Sequence, residues 1–134
     1  TFATSQATNA RLFEDLMAQS GQVKQLPENQ MDAATAIAGC GPAFIYELIE
    51  AMTAAGIQNG LTAQVAQDLA SQTVLGAAQM VLESDQHPAQ LRDQVTSPGG
   101  STIAGLVALT QAGFQAATIQ GVNQALERTR ELGQ

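Results

Sequence analysis

From Glu28 onward, apolar residues recur at helical spacing, and the breaks between the runs are short and contain Gly, Pro or Asn. This pattern predicts a mostly α fold, a multi-helix bundle. The predicted helices cover about 30–38, 42–58, 63–83, 89–95, 102–112 and 114–132. Thr62 is expected to cap the third of them, and Ser101 or Thr102 the fifth. The wide apolar stripe of the third helix predicts burial on two sides.

Residues 1–27 have a different pattern. Thr1–Thr4 is compatible with a strand, Ser5–Gln19 has helical spacing that ends at Gly21, and residues 22–26 alternate polar and apolar side chains. A short β-α-β segment is predicted, resembling the end of an α/β unit. The alternative is a frayed N-terminal arm on an all-helical domain.

Small residues limit how much core this chain can build. Among 134 residues there are 24 Ala, one Tyr and no Trp, so each helix contributes little apolar area. Association through helix faces is therefore expected. Gly76, Gly105 and Gly121 lie inside predicted helices, where each costs about 1 kcal/mol relative to Ala. They indicate close approach between helices or between subunits, with neutral drift as the alternative.

Charge and cysteine content exclude several functions. Five Lys and Arg against 12 Asp and Glu give a net charge of −7, which disfavours nucleic acid as a partner. Cys40 is the single cysteine, so neither an internal disulfide nor a zinc site is expected. No apolar run approaches the ~20 residues that cross a bilayer, and no secretory signal is visible. A cytoplasmic protein without a bound metal is predicted.

The most informative segment is the loop at 95–103, VTSPGGSTI, which leads into a predicted helix. Gly99 and Gly100 leave backbone N–H groups uncovered, and the first N–H groups of the helix have no partner inside it. The helix dipole is positive at that end, so a carboxylate or phosphate would be stabilised there. Ser101 and Thr102 add hydroxyls. A plain capped turn without a ligand also fits these residues.

A second glycine motif, Gly39-Cys40-Gly41, is a weak signal. A dinucleotide-binding fingerprint needs a third glycine where Phe44 stands, and this motif follows a helix instead of a strand. No other segment supplies the fingerprint, so the chain is not a complete nucleotide-binding unit. Close packing at a helix kink is the alternative role. Cys40 has no cationic neighbour in sequence and is expected to be a packing residue.

Two motifs together carry a family resemblance. Residues 36–44 (AIAGCGPAF) and 95–106 (VTSPGGSTIAGL) resemble the C-terminal part of pyrroline-5-carboxylate reductase. The likeness runs from about Glu28 to Gly133, and residues 1–27 resemble the last helix and strand of that family's nucleotide-binding domain. The resemblance implies a tail of a Rossmann-type domain over 1–27 and an all-helical dimerisation and substrate-binding domain over 28–134. It also implies an interlocked homodimer, with larger rings of dimers in some members.

The activity implied is an NAD(P)H-dependent reduction of 1-pyrroline-5-carboxylate to proline, the last step of proline biosynthesis. In the family's motif, backbone N–H groups at Gly100, Ser101 and Thr102 bind the substrate carboxylate. The Thr102 hydroxyl lies near the ring nitrogen and is the implied catalytic group. Glu28 and Asp85 match acidic positions near the substrate.

The resemblance also implies cofactor contacts. Thr35 and Gly39 would face the nicotinamide, and Gln94 borders the cofactor, NADPH or NADH, which the preceding domain mainly holds. Cys40 and Phe44 replace the Ser and Tyr that are usual in the family, so two hydroxyls are lost.

The chain alone is expected to be inactive, because it lacks the cofactor-binding fingerprint. Two alternatives remain open at this point. One is a non-catalytic helical dimerisation module, and the other is the C-terminal domain of a related imine or 2-hydroxy-acid reductase.

Overall fold

The structure is a computed structural model that describes residues 1–4, 7–19 and 21–133. Its α-helices are α1 (Ala7–Met17), α2 (Met31–Ala34), α3 (Gly41–Gln58), α4 (Ala63–Glu83), α5 (Pro88–Gln94), α6 (Ser101–Gln111) and α7 (Phe114–Leu132). No sheet forms among these residues, so the mostly helical fold is confirmed. The predicted start of the first helix, Ser5, lies outside the described residues.

Most helix ends follow from local signals. The Val65 N–H donates to the Thr62 hydroxyl over 3.4 Å, so Thr62 caps α4 as predicted. The His87 side chain accepts from the Ala89 N–H, while the Gln90 side chain accepts from the His87 N–H, which closes a capping box on α5. Gly113, with φ of +78°, separates α6 from α7 because few other residues adopt that conformation.

The chain divides into two compact units, Thr1–Pro42 with Ile119–Gln134, and Ala43–Thr118. In the first unit, Phe2, which precedes α1 in the sequence, forms a single parallel β-bridge with Gln25, which follows α1. The Phe2 N–H donates to the Lys24 carbonyl over 3.1 Å, and the Phe2 carbonyl accepts from the Leu26 N–H over 2.9 Å. This bridge stands where two short strands were predicted. The ring of Phe13 in α1 lies 4.7 Å from that of Phe2, which is buried.

The stretch between Glu28 and Gly39 is more irregular than the single helix predicted over 30–38. A 3₁₀ turn over Glu28–Gln30 precedes α2, and a π-helix over Thr35–Gly39 follows it. The Cys40 N–H donates to the Thr35 carbonyl over 3.1 Å, five residues earlier. The prediction of one regular helix is therefore wrong here. The extra residue of a π-helix changes which carbonyl each backbone N–H bonds, but it hardly alters the spacing of apolar residues. The periodicity of the sequence therefore did not reveal the π-helix.

In the second unit, α3 and α4 approach each other closely at their connection. A Cβ atom added to Gly56 would lie 2.9 Å from the Ala66 Cβ and 3.3 Å from the Leu61 Cδ1. Ala66 and Ala70, one turn apart on α4, are buried. Small residues therefore let the two backbones come together at this point.

The buried core of the chain is small. The described residues that are buried are Phe2, Ala10, Ala36, Ala66 and Ala70. On α4, the larger side chains stay exposed, with Leu69 at 55% and Leu75 at 58%. The prediction that α4 is buried on two sides is wrong for the single chain, because its large apolar side chains have no cover within it.

The three glycines inside helices do not mark close contacts within this chain. Apart from the adjacent residues and the helix's own backbone, no heavy atom of the described chain lies within 4 Å of a Cβ added to Gly76, Gly105 or Gly121. Helix approach within the chain is therefore not their role, and approach between subunits stays a prediction.

No single helix in the described ranges is long and apolar enough to cross a bilayer. α6 and α7, which meet at a bend of 51°, satisfy those two criteria only as a pair.

Replacing Gly56 with Ala should destabilise the chain, because the new methyl group would overlap Ala66. Overpacking of this kind costs about 1–2 kcal/mol after the gain in helix propensity. The matched control is the double variant Gly56→Ala with Ala66→Gly, which moves the methyl group across the contact and should restore most of the lost free energy of unfolding. Urea denaturation at a fixed protein concentration measures both. Equal midpoints for the two variants would contradict the prediction.

Candidate functional site

The loop between α5 and α6 is a tight turn over Ser97–Gly100. The Gly100 N–H donates to the Ser97 carbonyl over 3.1 Å, and Gly99 has φ of +68°. Pro98 occupies the second position of this turn and Gly99 the third, as a type II turn requires. This segment, called the Ser97–Gly100 turn below, positions the start of α6.

Thr96 joins this turn to the end of α5. Its hydroxyl donates to the Arg92 carbonyl over 2.7 Å, and its N–H donates to the Asp93 carbonyl over 3.1 Å. Both bonds satisfy carbonyl groups that the last turn of a helix leaves unpaired. The loop is therefore anchored at its start by α5.

α6 begins differently from the prediction. Gly100 is its N-cap residue, and no side chain caps this end, so the expectation of a Ser101 or Thr102 cap is wrong. The extended ψ of 172° at Gly100 places both hydroxyl residues inside the first turn, beyond the position from which a side chain can cap. The first bond of the helix runs from the Ala104 N–H to the Gly100 carbonyl, over 3.4 Å.

Unpaired amides therefore lie at the start of α6. The N–H groups of Ser101, Thr102 and Ile103 precede the first helical bond and have no internal acceptor. The Gly100 N–H differs, because the Ser97 carbonyl already accepts it. Three donors at the positive end of a helix form a suitable site for an anion.

Threonine hydroxyls separate into two groups between residues 28 and 133. Those that donate to the carbonyl four residues earlier are Thr53, Thr73, Thr96, Thr110, Thr118 and Thr129. Thr62 accepts at its cap. Within this part of the chain, the Thr35 and Thr102 hydroxyls make no hydrogen bond. Both belong to the predicted site, and both are exposed and available to a ligand.

Thr35 and Gly39 lie at the two ends of the π-helix of the first unit. A Cβ added to Gly39 would lie 3.4 Å from the Thr35 Cγ2, and beyond the local backbone no other described heavy atom lies within 4 Å. π-helical turns are frequent at functional sites. Glu28 belongs to the same unit and opens the 3₁₀ turn before α2, where its side chain is exposed.

Asp85 and Gln94 lie in the second unit, as do Gly100, Ser101 and Thr102. Gln94 ends α5, and its Nε2 donates to the Gln86 Oε1 over 2.7 Å. Since Gln86 follows Asp85, this bond brings the two predicted residues into one neighbourhood. Asp85 and Gln94 are both exposed.

A groove of about 310 Å³ in the second unit runs between the end of α5 and one face of α6, and its lining does not include Gly100, Ser101 or Thr102. Its lining residues are Arg92, Asp93, Thr96, Ile103, Leu106, Val107, Thr110 and Gln111. Arg92 forms an exposed ion pair with Asp93, at 2.7 Å between Nη2 and Oδ1. Sequence reasoning did not single out Arg92 or Ser97. Only their positions could have indicated them: Arg92 lies in the last turn of α5, and Ser97 lies in the Ser97–Gly100 turn.

In the described ranges, no group of three or more His, Cys, Asp and Glu side chains is placed to hold a metal ion. Cys40 is half-buried and follows the π-helix directly.

The chain is similar to known reductases. Residues 28–132 match the family model for pyrroline-5-carboxylate reductase dimerisation. The chain is 50% identical over 113 residues to the pyrroline-5-carboxylate reductase of Synechocystis sp., covering 84% of this chain and 42% of that protein. It is 43% identical over 124 residues to pyrroline-5-carboxylate reductase 1 of Bacillus subtilis, covering 92% and 42%. The chain thus spans less than half the length of these curated relatives.

Solved structures agree with these matches. The Plasmodium falciparum pyrroline carboxylate reductase with NADP bound superimposes with a TM-score of 0.89 at 37% identity, covering 98% of this chain and 53% of that one. The pyrroline-5-carboxylate reductase of Coxiella burnetii gives a TM-score of 0.90 at 38% identity, covering 96% and 48%.

Proposed function

Because this chain belongs to the pyrroline-5-carboxylate reductase dimerisation family, we propose that it is the C-terminal part of an enzyme that reduces 1-pyrroline-5-carboxylate to L-proline with NAD(P)H. This reaction is the last step of proline biosynthesis. Residues 28–134 form the dimerisation and substrate-binding domain in this proposal, and residues 1–27 end a nucleotide-binding domain. The chain by itself does not catalyse the reduction, because it has no dinucleotide-binding fingerprint.

The proposed substrate site rests on one observation. The start of α6 combines three unpaired amides with the unpartnered hydroxyl of Thr102. The substrate is a small cyclic imine with one carboxylate and one ring nitrogen. The amides of Ser101 and Thr102 suit the carboxylate, which a chain of net charge −7 would otherwise repel. The Thr102 hydroxyl suits the nitrogen.

The chemistry required of these residues is modest. Bound NAD(P)H would supply the hydride, which adds to the imine carbon while the nitrogen gains a proton. The chain orients the substrate through its carboxylate, and the Thr102 hydroxyl donates a hydrogen bond to the nitrogen, either directly or through a water. Gly100 shapes the turn that presents these groups.

The proposed cofactor contacts are Thr35, Gly39 and Gln94. Thr35 offers a free hydroxyl and Gly39 an uncovered backbone, which suits the approach of a flat ring. Gln94, held by Gln86, borders the cofactor, and either NADPH or NADH fits this set. Glu28 and Asp85 are the acidic residues near the substrate.

The proposed assembly is a homodimer, with a ring of dimers as the larger form. Apolar side chains that the chain leaves exposed, such as Leu69 and Leu75, would be covered by a second copy. The lone Cys40 fits a reducing compartment, so the proposed location is the cytoplasm.

Thr102→Ala should lower kcat of the full-length protein by about 100-fold, because the group that positions the imine proton is lost. The carboxylate contacts are backbone amides, so KM should change much less. Thr110→Ala, on the same helix, is the matched control, since its hydroxyl donates to the Leu106 carbonyl over 2.8 Å. Steady-state kinetics with 1-pyrroline-5-carboxylate provide the measurement. A Thr102 variant with unchanged kcat would remove Thr102 from the mechanism.

Proline, the product, should distinguish the reductase from a purely structural dimerisation module. In the full-length protein loaded with oxidised cofactor, added proline should shift the amide NMR signals of Ser101 and Thr102. The amides of Gly105 and Gly121, elsewhere in the helices, serve as internal controls. No shift at millimolar proline would favour the module, whose surfaces serve association alone.

Size-exclusion chromatography with light scattering should find this 134-residue chain as a dimer or larger species at micromolar concentration. The reason is the small buried core, which contains Phe2 and four alanines among the described residues. A variant such as Leu69→Glu, which places a charge on an exposed apolar face, should shift the population towards monomer. A stable wild-type monomer would contradict the proposed assembly.

A further inference from the structure

α5 is a short helix whose two ends are held by residues that precede it. It contains seven residues, none of them buried, with Ala89 and Leu91 half-buried and the others exposed. Helices of this length are marginal in water unless packing or caps stabilise them. The stability of α5 within the chain therefore depends strongly on the hydrogen bonds at its ends.

Gln86 and His87 make those hydrogen bonds. At the start of α5, the His87 Nδ1 accepts from the Ala89 N–H over 3.2 Å, and the His87 N–H donates to the Gln90 Oε1 over 2.9 Å. At its end, the Gln94 Nε2 donates to the Gln86 Oε1 over 2.7 Å. Two consecutive residues, called the Gln86–His87 clamp below, therefore hold both ends of the helix.

The cap on α5 requires a neutral imidazole. Because the His87 Nδ1 accepts a hydrogen bond, it carries no proton, and the ring proton lies on Nε2. A second proton would convert Nδ1 into a donor, so that it and the Ala89 N–H would point their hydrogens at each other. The added positive charge would also lie at the positive end of the helix dipole. Protonation of His87 therefore removes the cap and replaces an attraction with a repulsion.

The charges around His87 leave it open to protonation. The charged residues of the adjoining segments are Glu83 at the end of α4, Asp85, and Arg92 and Asp93 on α5. Arg92 pairs with Asp93 at 2.7 Å, and in the described part of the chain no carboxylate forms an ion pair with His87. His87 is exposed, so water reaches its ring. Histidine is the side chain that ordinarily changes its charge between about pH 5 and pH 8.

We propose that the Gln86–His87 clamp makes α5 sensitive to pH, so that α5 is held as a helix while His87 is neutral and frays when His87 is protonated. The stabilisation by the cap is present at neutral pH and is lost as pH falls. Fraying displaces Gln94, whose side chain the clamp holds. The consequence for the cofactor, which Gln94 borders, rests on the proposed function, whereas the dependence of α5 on His87 does not.

Hydrogen–deuterium exchange of the full-length protein, read by mass spectrometry, tests the clamp directly. Peptides covering residues 85–95 should lose about fivefold in protection between about pH 7.5 and about pH 5.5, corrected for intrinsic exchange, because the N-cap is lost. Peptides from α4 should keep their protection, since the Thr62 hydroxyl that caps this helix has the same charge at both pH values.

His87→Asn is the matched variant, because asparagine is a strong helix cap and does not change its charge with pH. Its α5 should be protected equally at both pH values. His87→Ala removes the cap altogether, so its α5 should be less protected than wild type at the higher pH and should change little on acidification. A wild-type α5 with the same protection at both pH values, or an equal loss in wild type and His87→Asn, would overturn the proposal.

Kinetics of the full-length protein test the consequence for the cofactor. KM for NAD(P)H should be equal in wild type and His87→Asn at the higher pH, and it should be several-fold larger in wild type at the lower pH. An equal KM at both pH values would overturn this consequence. A wild-type protein that does not reduce 1-pyrroline-5-carboxylate would instead reject the proposed function, and hydrogen exchange alone would then decide whether the clamp exists.

Discussion

Helices in this chain are held together by close backbone approach instead of by large buried side chains. Gly56 meets Ala66 where α3 joins α4, and the buried residues of the described part are mainly alanines. Alanine buries little apolar area, so each such contact stabilises the fold by a small amount. The large apolar side chains are left facing outward. A fold of this kind needs another surface to cover these side chains. Its membership of a dimerisation family is consistent with that requirement.

Local hydrogen bonds and a tight turn position the start of α6. The Thr96 hydroxyl closes α5, the Ser97–Gly100 turn reverses the chain, and α6 then begins without a side-chain cap. Omitting the cap costs stability of about 1 kcal/mol at an ordinary helix end. Here it leaves three amides and one hydroxyl free, a pattern typical of sites where local stability is lower than it could be because a ligand binds.

Sequence periodicity was sufficient for much of the fold. The ends of α3 and α4, the Thr62 cap and the break at Gly113 were all predictable, because Gly and Thr act within one turn of the helix. The π-helix was not predictable from the sequence. It is defined by the hydrogen bond from the Cys40 N–H to the Thr35 carbonyl, and no residue type is typical of such a bond. The exposure of α4 was missed for another reason. A wide apolar stripe shows that a helix needs cover, but it does not show whether the same chain provides it.

The site was predictable in part. Glycines before a helix that starts with Ser and Thr indicated an anion site, and the structure keeps that feature. The sequence placed the cap one or two residues too late, because Gly100, the N-cap residue, has no side chain to mark it. The Gly100 amide, which the family resemblance names as a donor to the substrate, is bonded to the Ser97 carbonyl in this structure. The roles of Thr35 and Thr102 came from family likeness. Their unpartnered hydroxyls are a geometric property that distinguishes them from the other helical threonines between residues 28 and 133.

The π-helix over Thr35–Gly39 also limits how this protein can vary in length. A π turn contains one residue more than the α turn it replaces, and each residue advances a helix by about 100°. A deletion of one residue there would convert the segment to ordinary α-helix and rotate everything before it by about a quarter turn relative to α3. The number of residues in this segment is therefore a structural constraint in its own right, separate from the chemistry of its side chains.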